Sequence, residues 1–214
     1  SSPPTGKSFT LTGDLSIDIT DDNTVTAGDA SSTGISFGAG ESFLTSNDAI
    51  SINAFSNAAD GDAYSVGVSI GNLGAAGSST GDYRPAIGSN TVSFSNLDIN
   101  LTSTSTPDTN GDGHSSNAYG VEMRGNSNIT IGDLKVSATA GGADSNAARG
   151  ILATGGDGLS GGTITVNHAD ITATVKGDGD AIGVLTFLDW NDTTGSTIHI
   201  EEGQVVAKSL DGMG

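Results

Sequence analysis

The stretch Asp108-Thr-Asn110-Gly-Asp112-Gly113-His114 is where residue type and spacing in this 214-residue chain most directly suggest chemistry. Oxygen-bearing side chains stand at its first, third and fifth positions. A glycine follows at the sixth, and the seventh offers a backbone carbonyl. Hard divalent cations take oxygen ligands in this order, and the glycine supplies the sharp turn. Asp108, Asn110, Asp112 and His114 are therefore candidate Ca²⁺ ligands. The twelfth position, where a bidentate carboxylate would complete the loop, is Tyr119; Glu122 closes the site only along a different path. The competing reading is an Asp/Gly-rich turn without metal.

Further polar groups recur in register. Asp60-Gly-Asp62 and Asp178-Gly-Asp180 precede similar strands, with Asn117 and Asn146 nearby, and are read as side chains capping a corner by hydrogen bonds. Tyr64, Tyr119 and Arg149, with Ile182, fall at one place in successive copies of a strand pattern. Facing outward, they would form a vertical stripe for a glycan or protein partner; facing inward, they would be core. Tyr83, in a polar loop, is a further exposed aromatic candidate. Nucleophile chemistry is poorly supported. Gly34-Ile-Ser36-Phe-Gly38 and Gly77-Ser-Ser79-Thr-Gly81 match Gly-x-Ser-x-Gly, but neither precedes a helix, as that motif requires. The three histidines lack metal-ligand spacing. The chain is read as non-enzymatic; its many aspartates leave a calcium-dependent polysaccharide lyase or glycoside hydrolase as an alternative.

These residues hang on a repeat. A strand A begins at Phe9, Phe43, Val92, Ile129, Ile164 and Ile198. Alternating strands B follow at Leu15, Ile50, Leu97, Leu134, Ile171 and Val205. Strands C read Ala63-Tyr-Ser-Val66, Ala118-Tyr-Gly-Val121, Ala148-Arg-Gly-Ile151 and Ala181-Ile-Gly-Val184, with Ser32-Thr-Gly-Ile35 as a degenerate first copy. No stretch has helical spacing of apolar residues. Short alternating strands at this period predict an all-β parallel β-solenoid of about five and a half rungs of roughly 34–37 residues, three short strands per rung. Leu15, Ile50, Leu97, Leu134 and Ile171 should stack as one core column, and Val66, Val121, Ile151 and Val184 as another. Ser16, Ser51, Asp98, Lys135 and Thr172 should form an outer ladder. The strand C glycines should relieve a crowded corner. Residues 1–214 read as one domain, with insertions at 71–89 and 103–116.

Composition bounds the partners. Twenty-five acidic residues against seven basic give a net charge of −18, which disfavours nucleic acid and anionic membranes. There is no cysteine, hence no disulfide framework. No apolar run is long enough to span a bilayer as a helix, so no membrane insertion is expected. The chain opens without methionine and stops partway through a repeat, which suggests a larger precursor.

In these copies, such as Asn128-Ile-Thr-Ile-Gly-Asp-Leu-Lys-Val136 and Asn117-Ala-Tyr-Gly-Val121, and in its Gly/Asn/Ser/Thr richness without cysteine, the whole chain resembles bacterial autotransporter passengers and related surface adhesins with pectin-lyase-like parallel β-helices. The resemblance implies an exported, cell-surface or extracellular structural protein. Its partners would be a host or cell-surface glycan or protein, or further copies of itself. In the self-associating version the chain is a subunit of an extracellular filament or layer, joined through exposed β-edges.

Overall fold

A computed structural model of the chain describes residues 7–23, 28–38, 42–71, 90–106, 114–142, 146–155, 161–187 and 194–210. The candidate calcium ligands Asp108, Asn110 and Asp112, together with Tyr83, lie outside these residues, as do 72–89 of the first insertion. Within the described residues every named element is a strand. Two sheets contain them all. The long-strand sheet runs β1 (Lys7–Leu11) with β2 (Leu15–Asn23), then β4 (Ser42–Ala58), β6 (Thr91–Ser105), β8 (Asn128–Gly141), β10 (Thr163–Lys176) and β12 (Thr197–Leu210). The short-strand sheet runs β3 (Ala30–Phe37), β5 (Ala63–Ile70), β7 (Ser116–Arg124), β9 (Asn146–Thr154) and β11 (Gly179–Phe187). Every pairing within either sheet is parallel and follows chain order, a solenoid-like arrangement of six long-strand levels and five short-strand levels.

The expected strands A and B are one continuous strand in five of the six levels. The corner between them is made without breaking the ladder. In β8, Ile129, Ile131, Leu134 and Val136 are buried, while Gly132 and Asp133 stand consecutively outward and shift the alternation by one residue. Only the first level is split, at Thr12–Asp14, where Gly13 takes a φ of 89°. Levels one and two carry one more residue at this corner than the later levels, and β4 pairs with β6 across that difference by a register shift between Ser46 and Ala49. The second insertion is also narrower than expected. β6 continues to Ser105 and β7 starts at Ser116, so Ser103–Ser105 and Ser116 belong to strands.

Stacking builds the core. Ile17, Ile52, Ile99, Val136, Ile171 and Val205 are register partners in one column, and Leu15, Ile50, Leu97, Leu134, Ala169 and Gly203 in another. Ile171 thus belongs one column over from its expected place, and the outer ladder reads Ser16, Ser51, Asp98, Lys135, Asp170, with Asp170 in place of Thr172. Each fully buried aliphatic side chain contributes about 1.5–3 kcal/mol, so the columns supply the main favourable term. Several buried serines at the turn into the short strands are satisfied locally: Ser32 Oγ lies 2.8 Å from Ser56 Oγ, and Ser65 Oγ donates to the Thr102 carbonyl at 3.0 Å, whereas Ser103 Oγ, in the column of Ser56, has no partner among the described residues.

The short strands align on their glycines. Gly34, Gly67, Gly120, Gly150 and Gly183 form a column facing the β-branched column of the long-strand sheet. A Cβ on Gly34 would lie 2.5 Å from Ile52 Cγ2, and one on Gly67 2.5 Å from Ile99 Cγ2. These glycines therefore permit close approach of the two sheets, rather than bending a corner. The contact is staggered: the glycine of each short strand meets the side chain of the following long strand, Gly34 on Ile52 and Gly183 on Val205. This alignment places Val66, Tyr119, Arg149 and Ile182 in register and moves Tyr64 opposite Asn117, two residues from its expected place. The accompanying apolar column is Ile35, Val68, Val121, Ile151 and Val184, with Val68 in place of Val66.

Candidate functional site

The turn into the short strands carries His114, the described member of the candidate calcium loop. Asp62 N–H donates to Asp29 Oδ1 at 3.0 Å, and Ser115 N–H to Asp62 Oδ1 at 2.8 Å. One level further, Ser116 N–H donates to Asn146 Oδ1 at 3.3 Å, and Asn146 Nδ2 donates to the Asp178 carbonyl at 2.7 Å. Aspartate and asparagine thus cap backbone donors and acceptors where the long strands turn. His114 is turned toward this ladder, with Nε2 3.2 Å from Asp60 Oδ1 and Nδ1 3.9 Å from Asp62 Oδ1. Its carbonyl, the group a calcium loop would offer at that position, accepts from Ser105 Oγ at 3.0 Å. Among the described residues no group of three or more His, Asp or Glu side chains is arranged to hold a metal ion.

On the outer face of the short-strand sheet, Tyr119, Ala147 and Leu152 form a cluster separate from the main core, with Tyr64 and Leu185 packed against it. Tyr64 and Tyr119 meet edge to face with ring centroids 5.3 Å apart. The Arg149 guanidinium sits 4.9 Å from the Tyr119 ring centroid and donates to Tyr119 Oη at 3.3 Å. Arg149 Nε is buried with no hydrogen-bond partner among the described residues. Beside them Glu122 is fully buried, gripped by Arg124 Nε and Nη2 on one oxygen at 3.0 and 2.9 Å, with Tyr64 Oη 3.5 Å from the other. Tyr119 is itself buried, so the expected stripe is a packed aromatic–guanidinium cluster in which Tyr64 and Arg149 are half-buried.

A concavity with a volume of about 640 Å³ lies elsewhere, along the bend of the long strands. It spans five levels. One wall is Asp14, Ala49, Asn96, Asp133 and His168; the other is Ser16, Ser51, Asp98, Lys135 and Asp170. Backbone at Leu15, Ile50, Leu97 and Leu134 lies between them. Lys135 Nζ is 3.3 Å from Asp98 Oδ2 within one wall, and His168 Nδ1 is 3.4 Å from Glu202 Oε1 at the end of the other. Parallel stacking repeats these walls at the strand spacing of about 4.8 Å. The volume suits a small extended ligand. None of these groove residues was a sequence candidate for a site. The available signal was the equal offset of Asp98, Lys135 and Asp170 from the corner in successive copies, which becomes a wall only once the register is known.

The chain matches no protein-family model, no curated protein and no solved structure.

Proposed function

We propose that the chain is a non-enzymatic structural protein of the cell surface or extracellular space, adhesin-like in using the stacked strands of a parallel β-solenoid to present a binding groove. The observation that carries this reading is the corner groove, where outward side chains of five successive levels line one continuous concavity. Its hydroxyl, amide, carboxylate, imidazole and ammonium groups suit hydrogen bonding to a glycan or to an extended protein segment. The net charge of −18 favours neutral or basic partners over acidic ones. Calcium held by Asp108, Asn110 and Asp112 belongs to the same proposal, as a loop-ordering ion.

The test is a binding measurement on immobilised neutral glycans and intact cells, with wild-type protein and the Asp98→Ala/Lys135→Ala variant, alongside a turnover assay on the same polysaccharides. The expected result is binding that the double variant loses, with no product released. Steady release of shortened or unsaturated sugars would refute the non-enzymatic reading. It would favour polysaccharide cleavage, for which the specific observation is the gathering of Asp98, Asp133 and Asp170 around Lys135 in one groove.

A further inference from the structure

Ahead of the groove in sequence, the long strands turn a face of different character outward. In three successive levels its register partners are Thr91 and Ser93 in β6, Asn128 and Thr130 in β8, and Thr163 and Thr165 in β10. Thr10, Thr45 and Thr197 extend the two ranks to neighbouring levels, and Ser8, Phe43 and His199 fill the remaining register positions. Thr91, Asn128 and Thr130 are exposed, and Ser93, Thr163 and Thr165 are half-buried. Neither rank contains an aspartate, glutamate, lysine or arginine, in a chain of net charge −18. Past the corner the same strands place Asp98, Asp133, Lys135 and Asp170 outward. Among the described residues no side chain of the three central levels has a hydrogen-bond partner. In the second half of the long strands, by contrast, Asn53 Nδ2 donates to Asp18 Oδ1 at 2.7 Å and Thr104 Oγ1 to Asn57 Oδ1 at 2.8 Å.

We propose that this uncharged hydroxyl face binds the surface of ice. A hydroxyl both donates and accepts hydrogen bonds, as water does. The branched Cβ of threonine restricts χ1, and the ladder fixes each Cβ, so the ranks form a preset two-dimensional array. Its spacing is about 4.8 Å across the strands and about 6.6 Å for every second residue along them. In a tetrahedral water lattice with hydrogen bonds of about 2.7–2.8 Å, oxygens that share a neighbour stand about 4.5 Å apart. The mismatch of about 0.3 Å per level amounts to about 0.6 Å across the three central levels. Contact also removes the threonine methyls from liquid water, which favours it. A charged side chain pressed against ice would lose hydration with no counter-charge in return, so contact requires a face without carboxylate or ammonium groups. A crystalline polysaccharide is another uncharged periodic surface. Its sugar faces pack on flat aromatic rings, and the three central levels offer none. The proposal does not rest on the groove or on the ligand the groove takes.

The test is partition into slowly growing ice, with a non-binding protein of similar size as reference, together with the rate of recrystallisation of a frozen solution. Wild-type protein should be taken up by the ice and should slow recrystallisation. The Thr130→Lys/Thr165→Lys variant should lose both effects while keeping the strand signature in circular dichroism. Thr130→Val/Thr165→Val keeps the side-chain shape, removes two hydroxyls, and should weaken both effects. Thr20→Lys, exposed on the second half of a long strand, should retain them. The groove variant Asp98→Ala/Lys135→Ala should also retain them, which separates this face from the groove. A wild type excluded from ice like the reference protein overturns the proposal, as does uptake of Thr130→Lys/Thr165→Lys equal to wild type. Exclusion from ice with retention on microcrystalline cellulose that the same variant loses overturns it in favour of a polysaccharide crystal. Loss of uptake in the groove variant overturns the assignment to this face.

Discussion

Substituting Gly120 by alanine tests the packing argument most severely. A methyl there would sit 2.5 Å from Val136 Cγ1 and closer still to the Gly150 carbonyl oxygen. Carbon atoms in contact prefer about 3.5–4.0 Å, so the valine must move by about 1 Å. The carbonyl belongs to a neighbouring strand in the ladder and cannot swing away like a side-chain tip. Overpacking of a close-packed interior costs typically about 1–3 kcal/mol, and these two rigid neighbours place Gly120→Ala at the upper end of that range. At about 2–4 °C per kcal/mol for a chain of this size, the midpoint should fall by roughly 6–12 °C. Gly183→Ala is the internal control. Its methyl would meet only Val205 among the described residues, and that side chain is 47% exposed at the end of the stack and free to yield. A loss below about 1 kcal/mol is expected there. Thermal melts of both variants followed by far-ultraviolet circular dichroism make the comparison. Equal losses, or a Gly120→Ala midpoint within a degree of wild type, would refute the close-approach role of the glycine column.

Arg124→Ala leaves Glu122 buried without its guanidinium partner and should cost about 3–5 kcal/mol, while Glu122→Gln/Arg124→Met should recover much of that loss, as urea titration can measure. Lys135 and Asp98 are 64% and 52% exposed, so breaking their ion pair should change stability by less than about 1 kcal/mol even where it abolishes binding; a large fall in midpoint would assign the pair a structural role. Added Ca²⁺ should raise the melting midpoint, chelator should reverse the rise, and Asp112→Ala should remove it; an unchanged midpoint in calcium sinks the calcium loop.

Alternation was enough to find the core-facing residues of the long strands. Ile129, Ile131, Leu134 and Val136 stand two or three residues apart, and the same phase recurs in each copy. Register was harder where one copy offered two matches. Ala63-Tyr-Ser-Val66 looks like Ala118-Tyr-Gly-Val121, yet the short strand aligns Ser65-Val-Gly-Val68 on it instead. The deciding constraint is the space left by Ile99 in the other sheet, which admits a glycine at 67 and is invisible to local pattern. Ile171 shows the same problem. Ala169 is too small to stand out as the fifth member of the leucine column, and in the sequence pattern the next large residue, Ile171, occupies its place. The groove was half legible: the repeat already sets Ser16, Ser51, Asp98 and Lys135 in one outer ladder, but the facing wall of Asp14, Asn96, Asp133 and His168 sits at the corner, where consecutive outward residues break the alternation, and Asp170 joins the ladder only once the register is known. His114 meets Asp60 across 54 residues of sequence, a contact that spacing alone cannot supply.

The stagger between the sheets also bears on how the chain can be made. Each short strand presents a glycine whose space is filled by the β-branched residue of the long strand that follows it in sequence, as Gly120 waits for Val136 and Gly150 for Ile171. A newly emerged level therefore docks into a half-socket already built, and builds the next one as it does so. Repeat arrays held by nearest-neighbour contacts can propagate from any folded unit. Here the half-socket gives propagation a direction, from the first level toward the last, the order in which a ribosome delivers the chain. Structure can then grow at the pace of synthesis, at about 5–20 residues per second, without waiting for the distant end.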